Sequence, residues 1–169
     1  MSAELPRLHL LCGKAASGKS TLSAELALAP STIVLVEDDW LSSLYGDQMT
    51  TLADYVTCSE KLKLVMKPHA VSLLQSGLSV VLDFQANTLE TRRWMREIIV
   101  ESGAEHTLHY LEASDAECKR RLKLRNLSGA HPFEVTEVQF ERLVQYFVPP
   151  CEEEGFNILV HSMPDQQVV

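Results

Sequence analysis

Residues 13–20 read Gly13-Lys14-Ala15-Ala16-Ser17-Gly18-Lys19-Ser20, a full G-x-x-x-x-G-K-[ST] phosphate-binding pattern. Each residue type answers a chemical need. Gly13 and Gly18 permit a tight turn, so that backbone N–H groups from Gly13 to Thr21 face a polyphosphate. Lys19 supplies a cation to the β and γ phosphates, and Ser20 a hydroxyl to Mg²⁺. The flanks carry the context such a loop requires. Residues 8–12 form a short apolar run, as a buried strand does, and residues 21–28 have helical spacing with Leu22 and Leu26 on one face. Strand, loop and helix in that order point to a nucleotide site rather than a glycine turn with an incidental lysine.

Three further groups have types suited to the same chemistry. Asp38 and Asp39 follow an apolar run at 32–36, and Asp83 closes another at 78–82. In a parallel α/β sheet, ligands sit beyond the carboxyl ends of the strands, where all three carboxylates and the glycine loop belong. Arg121 and Arg125 stand four residues apart on a helix over about 114–126, sharing one face, while Cys118 and Leu122 point inward. Lys119, Arg120 and Lys123 face other ways and read as solvated.

The elements that must position these groups alternate along the chain. Short apolar runs at 8–12, 32–36, 78–83, 106–112 and 156–160 are separated by helical patterns. This predicts a three-layer α/β fold with a five-stranded parallel sheet. Leu62, Val65, Met66, Ala70, Leu73 and Leu74 mark one helix, with His69 on its apolar face as a core residue and a kink, or a split in two, at Pro68. Asn87 to Glu90, Ser114 to Glu117 and Thr136 to Gln139 read as helix starts with a Glu or Gln three residues on. The last of these helices should bury Phe140, Leu143, Val144 and Phe147. Residues 40–58 show no clear period and read as a mobile or substrate-shaping stretch.

With 169 residues, the chain is expected to form one domain spanning 1–169. No apolar run reaches membrane-span length, and the first residues lack a signal-peptide core, so a cytoplasmic location is expected. Cys12, Cys58, Cys118 and Cys151 have no metal-ligand spacing and read as buried thiols. The net charge of −8 weighs against nucleic acid and suits a neutral or cationic small molecule.

Lys19, the Asp pair after the second strand, Asp83 followed by Asn87-Thr88, and the R-x-x-x-R helix occur in one order. That order resembles the small P-loop kinases that include chloramphenicol phosphotransferase, zeta toxin and the kinase domain of polynucleotide kinase, over nearly the whole chain. The resemblance implies ATP and Mg²⁺, with Asp38 as the base facing an acceptor hydroxyl. It implies a helical lid over about 121–135 that brings Arg121 and Arg125 over the phosphates. It places Asp83 at a Walker-B-like strand end, supporting the metal's water shell or the substrate, with Asp38 or Asp83 reaching the metal through water and Asp39 beside them. Polynucleotide kinases keep an Arg three residues after the catalytic Asp; this chain has Leu41. The expected activity is therefore phosphoryl transfer to a small-molecule alcohol, such as an aminoglycoside antibiotic. A polynucleotide 5′-hydroxyl kinase is the alternative, and an ATP-dependent switch, with Gln85 positioning water, the alternative from another class.

Overall fold

The structure, a computed structural model, describes residues 5–129 and 134–163. Five strands form one sheet: β1 (Arg7–Cys12), β2 (Thr32–Val36), β3 (Ser79–Gln85), β4 (Glu105–Glu112) and β5 (Ile158–Ser162). Their spatial order is β2-β3-β1-β4-β5 and every pairing is parallel. Helices α1 (Lys19–Leu26), α2 (Glu37–Tyr45), α3 (Leu52–Gln75), α4 (Leu89–Ser102), α5 (Asp115–Ser128) and α6 (Glu137–Tyr146) connect and follow the strands. A 3₁₀ turn, Glu152–Glu154, precedes β5.

Period-two alternation assigns the faces of the sheet. Leu8, Leu10 and Cys12 of β1, Val80, Leu82 and Phe84 of β3 and Leu108 of β4 face the main core. There they meet Leu41 of α2, Leu62, Met66, Ala70 and Leu74 of α3, and Met95 and Ile98 of α4. Helix α1 packs against β1 and β3 from the other side. A smaller cluster of Cys118, Leu122 and Phe140 joins α5 to α6 and takes in Ala15 and Ala16 of the glycine loop. Helices α5 and α6 are thus seated on the loop by apolar contact. Ala130, His131 and Pro132 of the predicted loop, and Phe133 within the predicted lid, lie outside the described residues.

Several local expectations are corrected. Residues 40–58 are largely helical: α2 begins immediately after β2, and α3 starts with a capping box in which Thr51 Oγ1 accepts from the Asp54 N–H at 3.1 Å and Asp54 Oδ2 accepts from the Thr51 N–H at 2.9 Å. Pro68 neither splits nor ends α3. It lies on the exposed face, one turn after the exposed Leu64, where a carbonyl that loses its helical donor can turn to water. His69 and Val65 share that exposed face, so neither belongs to the core. Cys151 is exposed, whereas the other three thiols are buried. Leu143 is also exposed, because α6 covers the protein with only a narrow stripe centred on Phe140. Among the described residues, no helix is long and apolar enough to cross a membrane.

Candidate active site

The glycine loop joins β1 to α1. Gly18 has φ +101°, a conformation open to glycine and strained for other residues. Gly13 is needed for space: a Cβ there would lie 3.2 Å from Leu111 Cβ and the Leu111 carbonyl and would overlap the Ser17 hydroxyl. Helix α1 has Gly18 as its N-cap, no side-chain cap and no acidic residue in its first turn. Its free N–H groups and positive dipole end therefore face the loop. Ser17 Oγ is buried inside the loop without a hydrogen-bond partner among the described residues. Ser20 and Thr21 are exposed on the first turn.

Lys19 folds back over the loop and donates to the carbonyls of Gly13 (2.5 Å) and Lys14 (2.9 Å). Burial lowers the pKa of its ammonium; the charge of Asp83, the thiols Cys12 and Cys118, and then Asp38 oppose that shift. Burial raises the Asp83 carboxyl, opposed by a hydrogen bond from Ser23 and by Lys19, and reinforced by Asp38 and Asp39. Lys19, Asp83, Asp38 and Asp39 thus share one field at the carboxyl ends of β1, β2 and β3. Asp38 is half-buried in the first turn of α2, while Asp39 is exposed.

The two arginines of α5 reach the same region from above. Arg121 Nη1 lies 3.9 Å from where a Cβ on Gly18 would stand, so its guanidinium borders the glycine loop. Its Nε also donates to Glu117 at 2.6 Å. Glu117 is gripped by Arg120 and Arg121, whose bonds hold its carboxyl down to about 2. Arg120 is therefore half-buried and paired rather than simply solvated. Arg125 is half-buried, its Nε has no hydrogen-bond partner among the described residues, and burial lowers its pKa while the charge of Asp38 opposes that shift.

Lys14 uses its side chain elsewhere. Its ammonium pairs with Asp115 at 2.5 Å, donates to the Ala113 carbonyl and lies over the Phe147 ring. Only its backbone is turned to the loop, as the Lys19 and Ser17 bonds to its carbonyl show.

Two site neighbours escaped the sequence reading. Glu37, adjacent to Asp38, is buried and accepts a short bond from the Ser59 hydroxyl; burial raises its pKa. Tyr55 of α3 lies beside Glu37 and Asp38, and burial raises its phenol first, their charges second. Neither residue had a motif to mark it. Asn87, read as a helix cap, leaves that role to Thr88 and instead bonds to Gly13 through both ends of its amide.

A family profile described as an AAA domain matches residues 8–150. No curated protein matches the chain. Solved structures of the same fold include an inferred kinase of Chloroflexus aurantiacus, 19% identical, covering 94% of this chain and 85% of that one, with a TM-score of 0.74. The APS kinase CysC of Mycobacterium tuberculosis, in complex with AMPPNP and APS, is 18% identical with a TM-score of 0.63, covering 96% and 90%. A chain of the Pnkp1/Rnl/Hen1 RNA repair complex is 19% identical with a TM-score of 0.65, covering 84% of this chain and 44% of that one. At these identities the likeness is one of fold, the three-layer P-loop kinase fold with a five-stranded parallel sheet.

Proposed function

The chain belongs to the AAA domain family, and from that premise we propose that it is an ATP-dependent kinase acting on a hydroxyl of a small molecule. The observation that carries this reading is the shared field of Lys19, Asp83, Asp38 and Arg125 beside an uncapped glycine loop. A phosphate site needs the loop and the lysine. A transferase also needs a carboxylate and mobile cations facing the same point.

The residues present fit ATP and Mg²⁺. The side-chain-free cradle at Gly13, the orphaned Ser17 hydroxyl and the free N–H groups at the start of α1 suit a polyphosphate. Backbone groups of residues 14–21 and the Lys19 ammonium would hold the phosphates, with Gly13 shaping the turn. Ser20 would hold the metal, with Asp38 or Asp83 acting through water. When bound, Mg·ATP supplies an activated γ-phosphoryl group. Asp38 would orient the acceptor hydroxyl and take its proton as the acceptor oxygen bonds the γ-phosphorus and the bond from that phosphorus to the β,γ-bridging oxygen breaks, with ADP as the leaving group. Arg121 and Arg125, on the lid, neutralise charge that develops on the transferring oxygens. Asp83 keeps Lys19 charged in its buried setting, and Asp39 supports the substrate side.

The net charge of −8 favours a neutral or cationic acceptor, an aminoglycoside among them, and a cytoplasmic setting suits an ATP-dependent enzyme. Leu41, in the position where a polynucleotide kinase keeps its phosphate-binding arginine, is fully buried in the main core, which counts against a nucleic-acid 5′ end. The test is ADP release measured against a panel of antibiotics, sugars, nucleosides and 5′-hydroxyl oligonucleotides. Stimulation by a small alcohol supports the reading, and stimulation by the oligonucleotide alone replaces it with a polynucleotide kinase. Turnover indifferent to every acceptor points to a switch, with the exposed Gln85 as the water-positioning residue.

A further inference from the structure

We propose that Asn87 is a positioning residue of the phosphate loop, holding Gly13 in place while Lys19 leaves the Gly13 carbonyl for a nucleotide phosphate. The inference rests on the nucleotide-binding reading above. The Gly13 N–H donates to Asn87 Oδ1 at 2.9 Å, and Asn87 Nδ2 donates to the Gly13 carbonyl at 2.8 Å. The amide's orientation is set by its partners, since a flip would oppose donor to donor and acceptor to acceptor.

The same carbonyl accepts from Lys19 Nζ. Its two lone pairs are thus shared between a residue that must move to meet phosphate and one that need not. When Lys19 departs, the Asn87 bond remains, and no buried acceptor is orphaned. The bond to the Gly13 N–H has a second effect: it turns that donor away from the cradle and fixes the first peptide of the turn. Gly13 has no side chain to pack, so such backbone bonds are what anchor it.

Asn87 stands on a rigid frame. Its own carbonyl accepts from the Val148 N–H at 2.9 Å. The preceding residue, Ala86, donates its N–H to the Leu11 carbonyl at 3.0 Å and accepts from Arg92 Nη1 at 2.9 Å. Arg92 is fully buried and also bonds the Val148 carbonyl and Glu154. Thr88 caps α4, which frees the Asn87 side chain for the loop. An aspartate would place two acceptors where one donor and one acceptor are needed, and an alanine would supply neither.

The test titrates wild type, Asn87→Asp and Asn87→Ala with a fluescent-labelled ATP analogue and Mg²⁺, at a temperature well below each variant's melting point. Under that condition a merely structural role leaves affinity unchanged, because nearly all of each protein is folded. We expect Asn87→Asp to weaken binding about 10- to 100-fold and Asn87→Ala about 3- to 10-fold. Amide exchange on the free wild-type protein adds a reading that needs no variant, with Gly13 expected to be strongly protected. Wild-type binding with both variants within twofold of it, or an unprotected Gly13, overturns this inference alone. A wild-type protein that binds no nucleotide overturns the functional reading and this inference with it.

Discussion

Arg92 and Glu154 form a two-point ion pair, Nε to Oε2 at 2.7 Å and Nη2 to Oε1 at 3.0 Å, with the guanidinium fully buried. The pair ties the first turn of α4 to the 3₁₀ turn before β5, and Arg92 Nη1 donates to the carbonyls of Ala86 and Val148. Replacing Arg92 with Met leaves a largely buried carboxylate and two carbonyls without their donor. The expected loss is about 3–5 kcal/mol of stability, read from urea denaturation. A loss under about 1 kcal/mol would place the pair among exposed ones.

Lys19→Ala should abolish turnover and weaken ATP binding, because the polyphosphate loses its main fixed cation. The fold should survive. The half-buried Lys19 side chain is, among the described residues, hydrogen-bonded to the loop carbonyls of Gly13 and Lys14 rather than to the core. Calorimetry of nucleotide binding, with a melting curve as control, checks both halves. Wild-type ATP affinity in this variant removes the loop assignment.

The order of carboxylate effects separates base from bystander. Asp38 is half-buried and shares the field of Lys19 and Arg125, whereas Asp39 is exposed. Asp38→Asn should lower the maximal rate about 10²–10⁴-fold with ATP binding intact, and Asp39→Asn much less. The reverse order, measured by steady-state kinetics, moves the base to Asp39.

The loop and the alternation of five strands with helices were legible because they rest on local signals: a contiguous motif, apolar runs and caps within four residues. What stayed hidden depends on contacts between distant residues. Asn87 lies 74 positions from Gly13, so nothing local shows that its side chain serves the loop while Thr88 caps α4. The helical start of α3 was readable in Thr51 and Asp54, yet the weak period around it concealed the helix. His69 and Val65 fit an apolar stripe by spacing but fall just outside it once α3 is packed on the sheet. Arg92 carried no signal of its own, since nothing near it in sequence announces Glu154.

Arg125→Lys should lower the maximal rate more than it raises the Michaelis constant for ATP, because a planar guanidinium grips two phosphoryl oxygens and an ammonium does not. Arg121→Lys should behave similarly but more mildly, since Arg121 already shares its charge with Glu117. Wild-type kinetics in both variants would return these residues to a structural role on α5.

Stability should fall in mild acid. His9, His109 and His161 form a ladder across β1, β4 and β5, with ring nitrogens 3.0 Å apart at each step. Burial first, then the charges of His9, His161 and Arg7, lowers His109 from 6.5 to about 4. The unfolded chain therefore binds more protons between those values, so the stabilisation is full above about 6.5 and is lost as the pH falls toward 4. The whole shift corresponds to on the order of 3 kcal/mol. Guanidinium denaturation from about pH 7 to pH 5 should show this slope in wild type and a shallower one in His109→Gln; matching profiles contradict it.

Following a radiolabel shows whether Asp38 directs a phosphoryl group from ATP to an alcohol. Wild type and Asp38→Asn are incubated with γ-labelled ATP, Mg²⁺ and the acceptor that most stimulates ADP release, and the products are separated. Label is expected on an acceptor hydroxyl with wild type and to be nearly absent there with Asp38→Asn, while both proteins bind ATP. Label recovered only as inorganic phosphate, in equal amounts from both proteins, would contradict it.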